Sequence, residues 1–494
     1  MLKYIVSSIF FSLITLQPVM AQGNRTFQQY QQKKQEQLRK YRERKIKEFN
    51  DYRSKKNREF AAYLSKSWIL IEQQAGVPAP KQPDPVRPIV IPKDEQGKAP
   101  KKPVEVPHGD VLPFKKYEKE ESLNIPLHDA VPNRTANLSL FKTPVVVNME
   151  SHLKFKLNGV SENEISKQWN RLSSDDYTPM FEDCARLCQE MKLNGWATWN
   201  LCKSVGERLL GAGTNEAVML QTYLMAELGY DAQMVRIGND RLVTVCPAEV
   251  ELCQIPYLSM NNKKYYIWAE IPNSSPIHTY QKNFASATRS IDFSNSTEIP
   301  LSKQPAKKSI FTSKWDNHPS VTITTRESLI DCYRNMPLIN DWSFYAREPI
   351  DADIKSQLLP TLRASIDGKS EAEAANILLH FVQTAFEYQT DEEQYGKEKI
   401  DFKEELFYYP ACDCEDRSIL FSELIHSLIG LDVVLLYYPN HLCTAVKFNT
   451  QVTGDYVTVN GVRYVICDPT YINASVGQCM DKYKNVKATI YKIR

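Results

Sequence analysis

The chain has 494 residues, 42% of them hydrophobic and 24% charged, with 61 basic against 59 acidic side chains for a formal net charge of +2. That length and apolar content allow two or three domains with sizeable cores. So balanced a charge carries no global electrostatic signature of nucleic-acid binding.

The first stretch, MLKYIVSSIFFSLITLQPVMAQ, has a basic start at Lys3, an apolar run to Leu16 and a small-residue cleavage site at Val19-Met20-Ala21. It reads as a signal peptide over 1–21, too short to favour a spanning helix. No cysteine follows the site, so a lipid anchor is not expected, and no later segment reaches the length of a membrane span. The expectation is an exported soluble protein, periplasmic or secreted. Eleven cysteines in an oxidising compartment have the means to pair, in a connectivity the sequence leaves open.

Residues 22–75 are polar and basic. FQQY at Phe27, LRKY at Leu38, FNDY at Phe49 and FAAY at Phe60 recur every 11 residues. Eleven residues over three turns is about 3.67 per turn, so the aromatic pairs keep to one stripe of a long helix. Such a helix either lies along the body or self-associates through its stripe. The functional alternative is a basic arm, 27–68, touching anionic cell-envelope polymer or a membrane surface. From Gly76 to about 133 prolines dominate, as in VPAPKQPDPVRPIVIP and KAPKKPVEVP, and predict a semi-rigid linker.

Globular patterning resumes near 134. NLSLFKTPVVVNM and HLKFKLNG read as strands. Helices are expected over Glu162–Leu172 and Phe181–Leu210, the latter broken near Asn194-Gly195. Cys184 and Cys188, four apart on a helix, suit a core stripe better than a disulfide. A helix followed by strands spans Gly213–Val245, and NNKKYYIWAE after it has strand character. Residues 272–305 are Ser- and Asn-rich, a loop or domain junction. SIFTS and SVTITT follow as strands, then two helices between Ile354 and Ala385 split by Asp367-Gly368-Lys369.

The densest signal is CEDRSILFSELIHSLIGLDVVLLYYPNHLCTAV, Cys414–Val446, continuing to YVICDPTYINA. Ile419, Leu420, Leu424, Ile425, Leu428 and Ile429 recur at helical spacing, and Asp413, Glu415 and Asp416 crowd the helix start. Free N–H groups there favour a thiolate, so Cys414 is expected to be the reactive thiol. Gly430 ends the helix. Pro439-Asn440 turns between strands, His441 opens the second, Asn460-Gly461 signals a hairpin, and Asp468 leaves its far strand. A thiol, an imidazole to move its proton and a carboxylate to orient the imidazole are the parts of cysteine acyl transfer. Alone, each has a bland reading as a buried hydrophobe or a structural histidine; the ordered triple is what points to catalysis. Cys412 belongs to the approaching loop, and Cys443 shares the strand and face of His441. A metal reading of Cys412, Cys414, His441, Cys443 and Cys467 lacks the usual paired-cysteine knuckles, so no metal and no cofactor is expected.

These residues resemble the transglutaminase-like superfamily, with Cys414 matching its nucleophile, His441 its base and Asp468 its orienting acid in the D-P-T ending. The resemblance covers the last third of the chain. It implies a papain-like α+β core acting on peptide or amide bonds of a protein or peptide substrate, as peptidase, amidase or cross-linking acyltransferase. It also implies an acyl-site residue at the end of the helix that precedes the nucleophile, a position to donate to the oxyanion for which Gln383, Tyr388 and Gln389 compete.

Laid without gaps on Cys414–Val446, Gly213–Val245 matches its apolar positions, with Gly229 on Gly430 and Tyr265 opposite Tyr464 further on. The expectation is a tandem α+β architecture: a degenerate copy over 134–305 and a catalytic domain over 306–494. Gly213 would stand for the cysteine, Asp240 for the histidine, and Ala269 or Glu270 for the aspartate. The rival reading is a non-catalytic binding or scaffold protein of the cell envelope.

Overall fold

A computed structural model describes residues 23–80, 87–100, 102–117, 125–129, 137–271, 275–294 and 299–494. The expected signal peptide, and parts of the Pro-rich stretch, lie outside them. The fold is mixed α+β. No helix among the described residues is long and apolar enough to cross a membrane.

The chain divides into two compact units. The smaller takes in residues up to Lys55 and the segment Ile125–Asp129. Its helix, Gly23–Leu64, continues into the other unit. Pairs three or four residues apart lace its surface, among them Glu36 with Arg39, Arg39 with Glu43 and Lys47 with Asp51. Arg42 holds the Ile125–Asp129 segment through the Leu127 carbonyl at 2.8 Å and Asp129 at 2.6 Å. Tyr30, Tyr41 and Tyr52 of the aromatic stripe are 62%, 54% and 50% exposed.

In the larger unit, the last turns of that helix are core. Phe60 meets Trp169, Tyr280 and Phe284 edge-on at 5.0, 5.7 and 5.5 Å. Asn57 accepts from the Trp169 indole N–H at 2.7 Å and donates to Glu227.

Two antiparallel arrays dominate this unit. In the first, the helix Asn215–Glu227 leads into the strands Gln233–Ile237, Arg241–Pro247, Tyr257–Met260 and Lys263–Ile267, with Ile277–Thr279 returning beside Gln233–Ile237. In the second, the helix Cys414–Ile429 leads into Asp432–Tyr438, His441–Lys447, Tyr456–Val459 and Val462–Cys467, with Ala488–Lys492 returning beside Asp432–Tyr438. Naming the strands of each array a to e in chain order, both sheets run e-a-b-d-c. Each helix has a capped start, at Thr214 and Asp413, and each is followed by a glycine of positive φ, Gly229 at 90° and Gly430 at 79°. Asn460 and Gly461, both of positive φ, make the tight hairpin their sequence predicts.

The Pro-rich stretch is extended but does not stand off as a spacer. Its non-proline residues keep their N–H groups, and some of these pair with the second sheet and the loop that follows Asp468. Ile91 donates to the Ile472 carbonyl at 3.0 Å and Val106 to that of Tyr456 at 2.7 Å. His108–Leu112 then adds a parallel edge strand beside Ala488–Lys492. Ile91 and Val106 are buried in the core with Val434, Leu436, Val457 and Ile490. HLKFKLNG is also not a strand, its start forming only the short 3-10 turn Ser151–Leu153.

Candidate active site

Cys414 is the first residue of its helix and Asp413 the cap. From Cys414 to Ile425 every side chain of that helix is buried, against the Glu371–Thr384 helix and the His441–Lys447 strand. Ser418 Oγ ties helix to strand by donating to the Leu442 carbonyl at 3.0 Å. The Leu442 N–H points back at Cys414 Sγ, 3.4 Å away. The nucleophile candidate is thus docked on the residue next to His441.

Asp468 is bonded to both its neighbours. Oδ2 lies 2.9 Å from His441 Nε2, while Oδ1 accepts from the Thr470 and Tyr471 N–H groups at 2.9 and 3.2 Å. With Nε2 engaged, the imidazole presents Nδ1 for other use. The Tyr483 ring stacks on the imidazole at 4.9 Å and 5°, and Tyr438 stacks in turn on Tyr483 at 4.6 Å. Ring orientation is therefore set by a carboxylate at the edge and an aromatic on the face.

The thiol differs from expectation. Cys414 is 1% exposed, and Sγ donates to Glu415 Oε2 at 3.0 Å. Among the described residues no hydrogen bond joins it to the His441 ring. Burial, with Glu415 and Asp413 beside it, pushes its pKa well above the usual thiol range. The helix N-terminus, worth about 0.3–1 kcal/mol to an anion at the surface, is outweighed by desolvation and two adjacent carboxylates. Cys412 is likewise pushed up by burial, to about 12, and Cys443 well above its ordinary range. All eleven cysteines are buried.

Of the three acyl-site candidates, Gln383 has another task. Its Nε2 donates to the carbonyls of Asp468, Tyr471 and Ala474 at 3.0, 2.8 and 3.0 Å, and its Oε1 accepts from the Asn473 N–H at 3.1 Å. With every polar atom committed to the loop that carries Asp468, it has no donor left for an oxyanion. It positions the acid instead. Tyr388 lies beside the thiol, since Cys414, Asp413 and Glu415 join burial in raising its pKa, and Arg417 sits 5.3 Å from its ring centre. Gln389 is exposed. Arg417, buried, donates to the Gln383 and Phe386 carbonyls at 3.1 and 2.9 Å and closes the end of the preceding helix.

Metal-ligating groups occur in two chemistries. His441, Cys443 and Asp468 offer atoms within 4.8 Å of one another, but the imidazole and carboxylate are already paired. The other set is a group of carboxylates, Asp391, Glu398, Asp413, Glu415 and Asp416, of which sequence reasoning singled out only the three at the helix start. Burial, then Glu415, pushes Asp391 up to about 9 and Glu398 up to about 8. The acidic wording of TDEEQYGKEKIDFKEE and CDCED was the available signal.

The first array lacks these groups, at positions shifted from the gapless overlay. Its helix begins at Asn215, not Gly213, and Asn215 Oδ1 takes the Leu242 N–H at 2.8 Å, as Cys414 Sγ takes that of Leu442. Its hairpin pairs Ile237 with Arg241 across three residues, where the second pairs Tyr438 with His441 across two. The extra residue brings Arg241, not Asp240, to the start of the strand. Neither Ala269 nor Glu270 supplies an orienting acid, Glu270 being exposed with its carbonyl bonded to Arg241 at 2.7 Å.

Comparison of the chain with family models, with curated proteins and with solved structures finds no match.

Proposed function

We propose that the protein is a cysteine acyl-transfer enzyme of transglutaminase-like, papain-like type, acting on peptide or amide bonds. The observation that carries this is the His441 Nε2–Asp468 Oδ2 bond at 2.9 Å on the strand whose next N–H holds Cys414 Sγ. In the reaction, the thiol proton passes to His441 Nδ1 as Sγ forms a bond to the substrate carbonyl carbon. The imidazolium returns that proton to the leaving amine as the C–N bond breaks. Water or an amine then cleaves the thioester with His441 as base. Asp468 holds the tautomer with Nε2–H throughout. The shared e-a-b-d-c order, and the capped helix before it, support reading the first array as a degenerate copy without nucleophile. The basic arm as an envelope-facing element accords with the exposed tyrosines of 30–52.

Incubating reduced protein with a peptide-amide mixture, then mapping adducts by mass spectrometry, tests the reading. An acyl adduct on Cys414, absent from Cys414→Ala and accumulating differently in His441→Ala, is the expected result. A second reading, an inert binding or scaffold protein, is favoured by the buried thiol bonded to Glu415 rather than to the imidazole. Absence of adduct and of any peptide turnover would select it.

A further inference from the structure

Five carboxylates converge where the chain after the Glu387–Tyr388 strand meets the first turn of the Cys414–Ile429 helix. Asp391, Glu398, Asp413, Glu415 and Asp416 are at most 7% exposed. Oxygens of Asp391, Glu398 and Glu415 lie within 4.8 Å of one another, as do those of Asp391, Asp413 and Asp416, so Asp391 is common to both groups.

Buried like charges need a counter-charge or hydrogen bonds. Among the described residues none of the five is in an ion pair. The nearby cations are spent elsewhere: Lys399 on Asp401 and Glu405, Arg417 on main-chain carbonyls. Hydrogen bonds satisfy only part of the set. Asp391 Oδ2 accepts from the Lys399 N–H, the two oxygens of Asp416 from the N–H groups of Asp401 and Asp413, and Glu415 Oε2 from the Cys414 thiol. Glu398 is different. Both of its oxygens are buried without a partner, and the side chain is directed at Asp391 and Glu415. Asp413 makes no more than a loose capping contact with the Asp416 N–H and a shared contact with Glu415.

We propose that this cluster binds a hard divalent cation of calcium type, held between Asp391, Glu398 and Glu415 with Asp413 and Asp416 completing the negative shell. The spacing suits it. Calcium takes six to eight oxygens at about 2.3–2.6 Å, so donors on opposite sides of the ion are about 4.8 Å apart. The donors are carboxylate oxygens, which select calcium, magnesium or manganese over zinc or copper. They come from the starts of two helices and the segment between them, with no preformed octahedron of the kind magnesium demands. The cation would pin the 391–398 segment, which opens with the short helix Asp391–Tyr395, to the helix that starts at Cys414, one carboxylate away from the thiol. The site stands on the carboxylates alone and is independent of the acyl-transfer reading.

The test uses the full chain, stripped with chelator and dialysed. Thermal unfolding and titration calorimetry are followed as calcium is added, with magnesium as comparison. The expected result is a melting temperature that climbs with calcium, the unfolding constant falling about 100-fold when the ion reaches a hundred times its dissociation constant. Asp391→Asn and Glu398→Gln should lose that response, since each removes a carboxylate donor from the cluster. Should a variant not fold, terbium luminescence on wild type, excited through tyrosine and quenched by excess calcium, reads the site without substitution. No heat and no shift in natively folded wild type at millimolar calcium would overturn the site. So would a calcium response that survives in both variants.

Discussion

At the residue scale, Gln383 and His380 illustrate how neighbours on one helix take different tasks. Gln383 closes four main-chain groups of the Asp468 loop. Gln383→Leu keeps the volume but removes four hydrogen bonds; the Asp468 and Tyr471 carbonyls keep the N–H groups of Tyr471 and Ala474, whereas the Ala474 carbonyl and Asn473 N–H lose the bonds Gln383 supplied, each costing about 1–3 kcal/mol when buried. A loss of about 3 kcal/mol or more in urea unfolding is expected, with Gln383→Ala no better. A variant within about 0.5 kcal/mol of wild type would mean the loop is held by other contacts. His380 stacks on Trp315 at 3.9 Å, its Nε2 without a partner, and burial lowers its pKa to about 4. The unfolded chain titrates near the ordinary value of 6.5. The unfolded state therefore binds the proton first, so stability is full above pH 6.5 and is lost as pH falls toward 4. The loss is about 3 kcal/mol at most. His380→Phe should flatten the wild-type curve in that window only. Parallel curves for the two proteins between pH 7 and 4 would discard the assignment.

At the element scale, the two helix-and-sheet arrays offer a direct contrast. Asn215, the first residue of its helix as Cys414 is of the other, uses its amide as a cross-brace, donating to the Asp240 carbonyl at 2.6 Å and accepting from the Leu242 N–H. Asn215→Ala should cost about 1–2 kcal/mol and leave any turnover by the second array unchanged. Asp240→Ala removes a side chain with no hydrogen bond among the described residues and should be neutral within about 0.5 kcal/mol. If Asp240→Ala abolished activity in folded protein, the first array would have a role beyond scaffold. The Pro-rich strap gives a second contrast. Val106 is buried against the second sheet, so Val106→Asp places an unpaired charge there and should cost about 3 kcal/mol or more. Limited proteolysis would register it as new cleavage within 87–112, and unchanged resistance would show that the strap is dispensable.

At the scale of the whole molecule, the helix Gly23–Leu64 carries two environments. Residues 57–64 are built into a core of Trp169, Tyr280 and Phe284, while positions 30–45 are almost wholly exposed. Amide exchange should therefore slow along the helix toward Leu64, because opening its last turns uncovers apolar surface and opening the earlier ones does not. Uniform rates from 30 to 64, or the reverse gradient, would contradict that division.

The sequence by itself determined what local chemistry decides over a few residues. Asp413 and Gly430 bracket the helix that opens at Cys414, Asn460-Gly461 admits a tight hairpin, and residues such as Thr444, Val446, Val462, Val465 and Ile466 favour the strands that start at His441 and end just before Asp468. The pairing of His441 with Asp468 was legible for the same reason, both lying at ends of neighbouring strands. Tertiary structure alone decided the rest. Periodicity does not say that Asp391, 23 residues before Cys414, will be buried beside it, nor that Glu415 will take the thiol's proton bond. A one-residue difference in hairpin length moved Arg241 into the place expected for Asp240, a shift no gapless overlay can detect. Gln383 looked like a free donor until three carbonyls some 85–91 residues away claimed it. The proline-rich segment looked like a spacer because composition reports stiffness, whereas its non-proline N–H groups found a sheet edge. Desolvation and long-range hydrogen-bond satisfaction depend on which surfaces meet, and only packing settles that.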